Sequence, residues 1–236
     1  MPPIFNGTFV SQVLGTTPGR VVLLGIGVCL LGIGIAGMAG VYKERAMPAE
    51  AQKSAIKEFN LKQGFLVALL SGVMSACFAY GLAAGDPIKE LTVKAGTPTL
   101  WRGLPVLVVV LIGGFTTNFI WTVFLNIRNK SGREYLSAET PLASNYLLCA
   151  LAGVTWYMQF FFYTMGETKM GAYTFSSWTL HMASIVIFST LWGVGLHEWR
   201  GAGRTAITLL ITGLVVLIGS TVIIGYGNYL NAPKIP

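Results

Sequence analysis

The sequence predicts an all-α fold, a polytopic transmembrane helix bundle of about six helices, and three observations carry that prediction. The first is composition: of 236 residues, 53% are apolar and only 11% are charged, with a mean hydropathy of +0.65. A soluble domain carries about 25% charged residues, so this chain lacks the side chains to cover itself with a water-facing surface. The second is six uninterrupted apolar runs, 21–41, 64–84, 104–127, 146–165, 174–196 and 205–229, none of which contains Asp, Glu, Lys or Arg. Each has about 20 residues or more, enough at about 1.5 Å per residue to cross about 30 Å of hydrocarbon. The third is that the runs are apolar throughout, whereas a lipid-facing barrel strand alternates and spans in about 10 residues. A helix also satisfies its own backbone donors, which hydrocarbon demands.

The first run follows twenty mixed residues, exceeds the length of a signal-peptide core and has no small-residue cleavage site, so it is expected to remain in the protein. A linker from Lys43 to Lys62 follows, with Glu44, Arg45, Glu50, Lys53, Lys57 and Glu58 between them, and is expected to form a short helix on the membrane surface. Five runs come after it. Small residues recur within the helices, notably Gly32, Ala36 and Gly40, and Gly213, Gly219 and Gly225 in the last. They are read as packing positions that let helix backbones approach.

The net charge of +7 is spread singly or in loose groups between the apolar runs. That is a loop distribution, not the stripe that tracks nucleic acid, so no nucleic-acid partner is expected. The connections after the first, third and fifth helices hold Lys43, Arg45, Lys53, Lys57, Lys62, Arg128, Lys130, Arg133, Arg200 and Arg204; the other side holds Arg20, Lys89, Lys94, Arg102, Lys169 and Lys234. The bias favours placing the first set in the cytoplasm and both termini outside. Cys29, Cys77 and Cys149 fall inside runs, as buried free thiols do.

Candidate functional residues cluster in two places. In Trp156-Tyr157-Met158-Gln159-Phe160-Phe161-Phe162-Tyr163, helical spacing puts Trp156, Gln159, Phe160 and Tyr163 on one face. Flat aromatic surface beside an amide that donates and accepts suits a hydroxyl-rich ligand such as a sugar. Aromatics that face lipid or fill the core, with Gln159 bonding a neighbouring helix, are the alternative. In Ser176-Ser177-Trp178-Thr179-Leu180-His181, His181 is the only ionisable side chain well inside any of the six runs apart from Cys and Tyr, with Trp178 one turn earlier. An imidazole titrates near physiological pH, so a proton-linked role is open, as is a neutral ring that pins two helices. Glu167 sits in the short loop Gly166-Glu167-Thr168-Lys169, where it would border a cavity, be solvated or pair with Lys169. Asn118 is polar at depth in the third run, and Asn126 lies near its end. His197-Glu198-Trp199-Arg200 lacks the second His of a zinc-protease helix, since Gly201 stands four residues after His197. Trp199 and Arg200 read as interface anchors. The sequence calls for no cofactor and no metal.

At these motifs the chain resembles the L-rhamnose-proton symporter family, a branch of the drug/metabolite transporter superfamily. The resemblance is carried by Lys43-Glu44-Arg45-Ala46-Met47, Glu58-Phe59-Asn60-Leu61-Lys62, the Trp156–Tyr163 stretch, Ser177-Trp178-Thr179-Leu180-His181-Met182, and Glu198-Trp199-Arg200-Gly201-Ala202-Gly203-Arg204. It implies a ten-helix bundle of two inverted five-helix repeats that moves a deoxyhexose inward with a proton across the bacterial cytoplasmic membrane, the substrate lying at the repeat interface. The six helices match the fifth to tenth of that pattern. Residues 1–63 would then be the last helix of a first repeat plus a cytoplasmic linker, and 64–236 a complete second repeat. The opposing wall of the site would come from a second chain or from the missing N-terminal repeat.

The side chains expected to serve are Trp156, Gln159, Tyr163, Trp178 and Asn118 for the sugar, with His181 and Glu167 proton-linked. The rival reading is a non-transporting integral membrane subunit or degenerate copy. An intramembrane enzyme is disfavoured because no Asp or Glu lies within the six runs.

Overall fold

The computed structural model describes residues 7, 9–46, 61–137 and 141–231. Among them, no strand occurs and seven α-helices follow in order: α1 Thr17–Ala46, α2 Leu61–Ala84, α3 Asp86–Lys94, α4 Leu104–Asn129, α5 Leu142–Glu167, α6 Ser177–Gly195 and α7 Gly203–Leu230. Six spans are long and apolar enough to cross a membrane, with α3 continuing the span that α2 begins. The expected all-helical, six-span architecture is therefore found. Most helices outrun their apolar runs by a few residues; α1, for example, continues through Lys43, Glu44 and Arg45 to Ala46. The expected surface helix beyond Ala46, the Glu58–Lys62 motif's side chains and Lys234 lie outside the described residues.

The chain forms two compact units, one holding the described residues up to Ala76 with those from Met170 onward, the other Cys77–Lys169. This grouping by packing is separate from the division into repeats at residue 63.

The first unit is built on α1 and α7, which run antiparallel along most of their length. The buried positions of α7, Ala206, Leu210, Gly213, Leu217, Ser220, Ile224 and Gly227, alternate steps of four and three residues. That is the heptad spacing of a coiled-coil seam. Each small residue faces a larger one. A Cβ added at Gly25 would come within 2.5 Å of Ile224, one at Gly32 within 2.9 Å of Leu217, one at Gly227 within 2.7 Å of Val22, and one at Gly213 within 3.0 Å of the Ala36 backbone. Gly40, Gly219 and Gly225 have no neighbour within 4 Å, so the glycines expected to pack are only partly those that do. Lipid offers no hydrophobic drive between helices, and this close approach supplies dispersion contact instead. α6 joins through Ala183 and Ile187 against Cys29 and Leu217.

At one end of this unit, Thr16 Oγ1 and Tyr173 Oη share a 3.0 Å hydrogen bond, and the buried Ser176 donates to the Tyr173 carbonyl at 2.8 Å. At the other, Lys43 Nζ lies 4.8 Å above the Trp199 ring in a cation–π contact. The reversal from α6 to α7 needs left-handed backbone at His197, Gly201 and Gly203, with φ of 63°, 81° and 78°.

The second unit is held differently. Its helices are pinned near the start of α4 and the end of α5, where Gly85 abuts Val106, Gly103 abuts Thr164, and Phe78 meets Phe160 at 5.1 Å between ring centroids. At their other ends, Asn126 Nδ2 donates to Tyr135 Oη at 3.1 Å and Tyr146 Oη donates to the Tyr135 carbonyl at 2.6 Å. Between these ties the middles of α4 and α5 bury nothing: the buried positions are Val106 and Leu107 on α4 and Phe160 and Thr164 on α5.

Candidate functional site

α5 carries the candidate sugar-type face because its apolar run is broken by an amide at a depth where polar groups are scarce. Leu148, Leu151, Ala152, Thr155, Trp156 and Gln159 line an open hollow of about 650 Å³ along one side of this helix. The spacing of three and four residues puts all six in one stripe. Trp156 is 55% exposed and its ring is fixed edge-on against Phe160, 4.9 Å away, which in turn is buried against Phe78. A half-exposed indole held rigid from behind is a platform on which a ligand can stack at little entropic cost. Gln159 is partly buried beside it. Tyr163 is partly buried one turn further on but is not among the residues lining the hollow.

Asn118 is exposed, and its Nδ2 donates to the Gly114 carbonyl one turn back at 2.9 Å. Its amide is partly occupied on its own helix. Asn126 accepts from Ser131 Oγ at 2.7 Å and ties down the helix end.

Trp178 and His181 belong to the first unit, at the start of α6, with ring centroids 5.3 Å apart and both side chains partly buried. Nearby in the fold, the buried Ser176 accepts from Asn228 Nδ2 at 3.5 Å. The structure thus joins Trp156 to Gln159 and Trp178 to His181, one pair in each unit.

Glu167 differs from two of the three readings that the sequence suggested for it. It is neither solvated nor paired with Lys169, which is exposed; its Oε1 accepts from Lys89 Nζ at 2.9 Å, with the two side chains 14% and 8% exposed. Lys89 also lies 3.2 Å from Asp86 Oδ1 on its own helix. Glu167 is the last residue of α5, where the helix dipole opposes a negative charge, and the ammonium offsets that penalty.

Lys89 was missed because it counted as a loop charge. The signals for α3 were nevertheless present: Asp86 in the first turn, Pro87 at the start and Lys94 in the last turn. What no local pattern indicates is the inverted face, with Lys89 turned in and Leu91 64% exposed. Among the described residues, no group of three His, Cys, Asp or Glu side chains could hold a metal.

No solved structure matches this chain. Curated relatives do. It is 40% identical to proteins named L-rhamnose-proton symporter from Salmonella gallinarum, Salmonella paratyphi B and Salmonella newport, in each case over 96% of this chain and 65% of the relative. The chain therefore spans about two thirds of the length of the relatives it matches, at 65%. A family model described as L-rhamnose-proton symport protein matches residues 1–229, nearly the whole sequence. A chain of six apolar spans matched along that length belongs to the L-rhamnose-proton symport protein family.

Proposed function

We propose that this chain acts in proton-coupled uptake of L-rhamnose or a similar deoxyhexose across the bacterial cytoplasmic membrane. The observation that carries the reading is the family match over residues 1–229, joined by the name of the relatives. The hollow on α5 supports it chemically. A sugar presents C–H faces that stack on indole and hydroxyls that both donate and accept, the complement of Trp156 and Gln159.

Trp156, Gln159 and Tyr163, with Trp178 and Asn118, are the proposed sugar contacts, and His181 and Glu167 the proposed proton-linked groups. Protonation and sugar binding jointly favour closure over the site, and loss of the proton on the inner side releases both. A ligand shifts such an equilibrium only by its differential affinity for the two states, so sugar and proton must each bind the closed form more tightly. No bond of the sugar is made or broken.

An open hollow on one helix needs an opposing wall. In this reading the wall comes from a second chain, or from helices equivalent to the part of the relatives this chain does not span, and residues 1–63 and 64–236 are the end of one repeat and the whole of the next. The ends bearing Lys43, Arg128 and Arg200 face the cytoplasm.

The test is sugar-dependent alkalinisation of the medium by cells lacking their own L-rhamnose uptake and expressing this chain, alone and together with the N-terminal third of a Salmonella relative. Uptake with matched proton movement is expected in at least one case. Uptake without proton movement overturns the coupling, and no uptake in either case favours a non-transporting membrane subunit.

A further inference from the structure

A buried ammonium between two carboxylates does more than hold two helices together. Lys89 Nζ has three N–H groups, and two carboxylates lie within reach: Glu167 at 2.9 Å on another helix and Asp86 at 3.2 Å on its own. The two partners are unequal. Glu167 is 14% exposed, whereas Asp86 is 53% exposed and solvated. Losing the charge on Glu167 would ordinarily strand a buried cation, the most costly outcome for such a pair. Here it would not, because Asp86 stays in contact.

We propose that Lys89 is a positioning residue for a proton-accepting Glu167, and that it transfers its interaction to Asp86 when Glu167 takes up a proton. The proton arrives from bulk water on that side of the membrane and bonds to a Glu167 oxygen; the Lys89 N–H···Oε1 bond breaks, and the ammonium keeps its contact with Asp86. No other reactant is needed. Breaking the bond frees the end of α5 from α3, one of the contacts that pin the second unit.

The other charged groups nearby do not compete. Glu90 and Lys94 are on the exposed side of α3, and Lys169 is exposed beyond the end of α5. Arg102 stands next to Gly103, which packs on Thr164 of α5 one turn before Glu167, but it forms no ion pair with either carboxylate, and its buried Nε has no hydrogen-bond partner among the described residues.

The use of this proton for transport rests on the symport reading, so the test has one arm that needs no sugar. In the full chain purified into lipid vesicles, infrared difference spectra between neutral and acid pH should show a carboxylic-acid band that is absent in Glu167→Gln and appears at higher pH in Lys89→Met. An identical band in wild type and Glu167→Gln overturns the proposal. In the sugar arm, run with whatever partner helices uptake requires, Lys89→Met should lower proton-driven L-rhamnose accumulation about tenfold or more. L-rhamnose exchange at equal sugar on both sides, which needs no net proton movement, should stay within about twofold of wild type. Lys89→Arg, which keeps the charge, should recover part of the accumulation and guards against a folding defect. Loss of exchange together with accumulation in both Lys89 variants would mean a purely structural clamp and overturn the proposal. The band without any sugar exchange in wild type would keep the proton switch and overturn the transport reading instead.

Discussion

The two units solve the same problem, holding helices together in lipid, in opposite ways. α1 and α7 spread their contact along a seam of three glycines set against large side chains and one, Gly213, set against Ala36. The second unit confines its contact to its ends, with rings, two glycine approaches and one interhelical ion pair within a few turns at one end and hydrogen bonds through Tyr135 at the other, and leaves the middles of α4 and α5 bare. A distributed seam tolerates a local lesion and resists opening. A concentrated pin is easily undone, and it leaves a hollow beside it. On the proposed transport reading, the second pattern belongs where movement is needed.

The sharpest way to break this contrast is to remove the centre of the pin. Phe160→Ala should destabilise the second unit by about 3 kcal/mol, since the ring is buried between Phe78 and Trp156. Hydrogen exchange of purified protein should show faster exchange in Cys77–Lys169, with α1 and α7 unchanged; equal acceleration in α1 and α7 would contradict a lesion confined to this pin.

A smaller effect is expected from one lesion in the seam. Gly32→Leu, which must displace Leu217, should cost about 1–3 kcal/mol and lower the thermal midpoint in detergent. A drop as large as that of Phe160→Ala would mean the seam is no more distributed than the pin.

Gln159→Leu should leave the midpoint unchanged but raise the L-rhamnose concentration for half-maximal uptake about tenfold, the worth of one or two hydrogen bonds. Unchanged sugar dependence would remove Gln159 from the site. The smallest effect belongs to Gly219→Ala and Gly225→Ala, which face away from the seam and should shift stability by no more than about 0.5 kcal/mol. A clear destabilisation by either would show that the register of α1 on α7 is wrong.

The spans were legible because hydrocarbon imposes one local requirement, about twenty apolar residues with a self-satisfied backbone, and a local requirement leaves a local trace. The glycine positions were only half legible. Gly32 and Gly213 pack while Gly40 and Gly219 do not, because what matters is whether the partner helix stands opposite, and spacing along one helix does not reveal the partner's register. Trp156 and Gln159 could be read as one face from helical periodicity, and they line one hollow. Lys89 could not be read at all. Its burial depends on Glu167, 78 residues along the chain, and a lysine beside Glu90 in a polar stretch looks solvated until that partner is known.

The seam between α1 and α7 also sets a schedule for biosynthesis. Its two halves are the first and last described α-helices, separated by roughly 160 residues, so at about 5–20 residues per second α1 waits on the order of ten to thirty seconds in the bilayer for its partner to be translated. During that interval the faces of Gly25, Gly32 and Ala36 are open to any neighbouring helix with a complementary large-residue stripe. Ribosome stalling before α7, or deletion of the chain beyond Ala202, would then release a protein whose first span has lost its principal docking surface, and quality-control proteases that survey the membrane would meet it with α1 exposed.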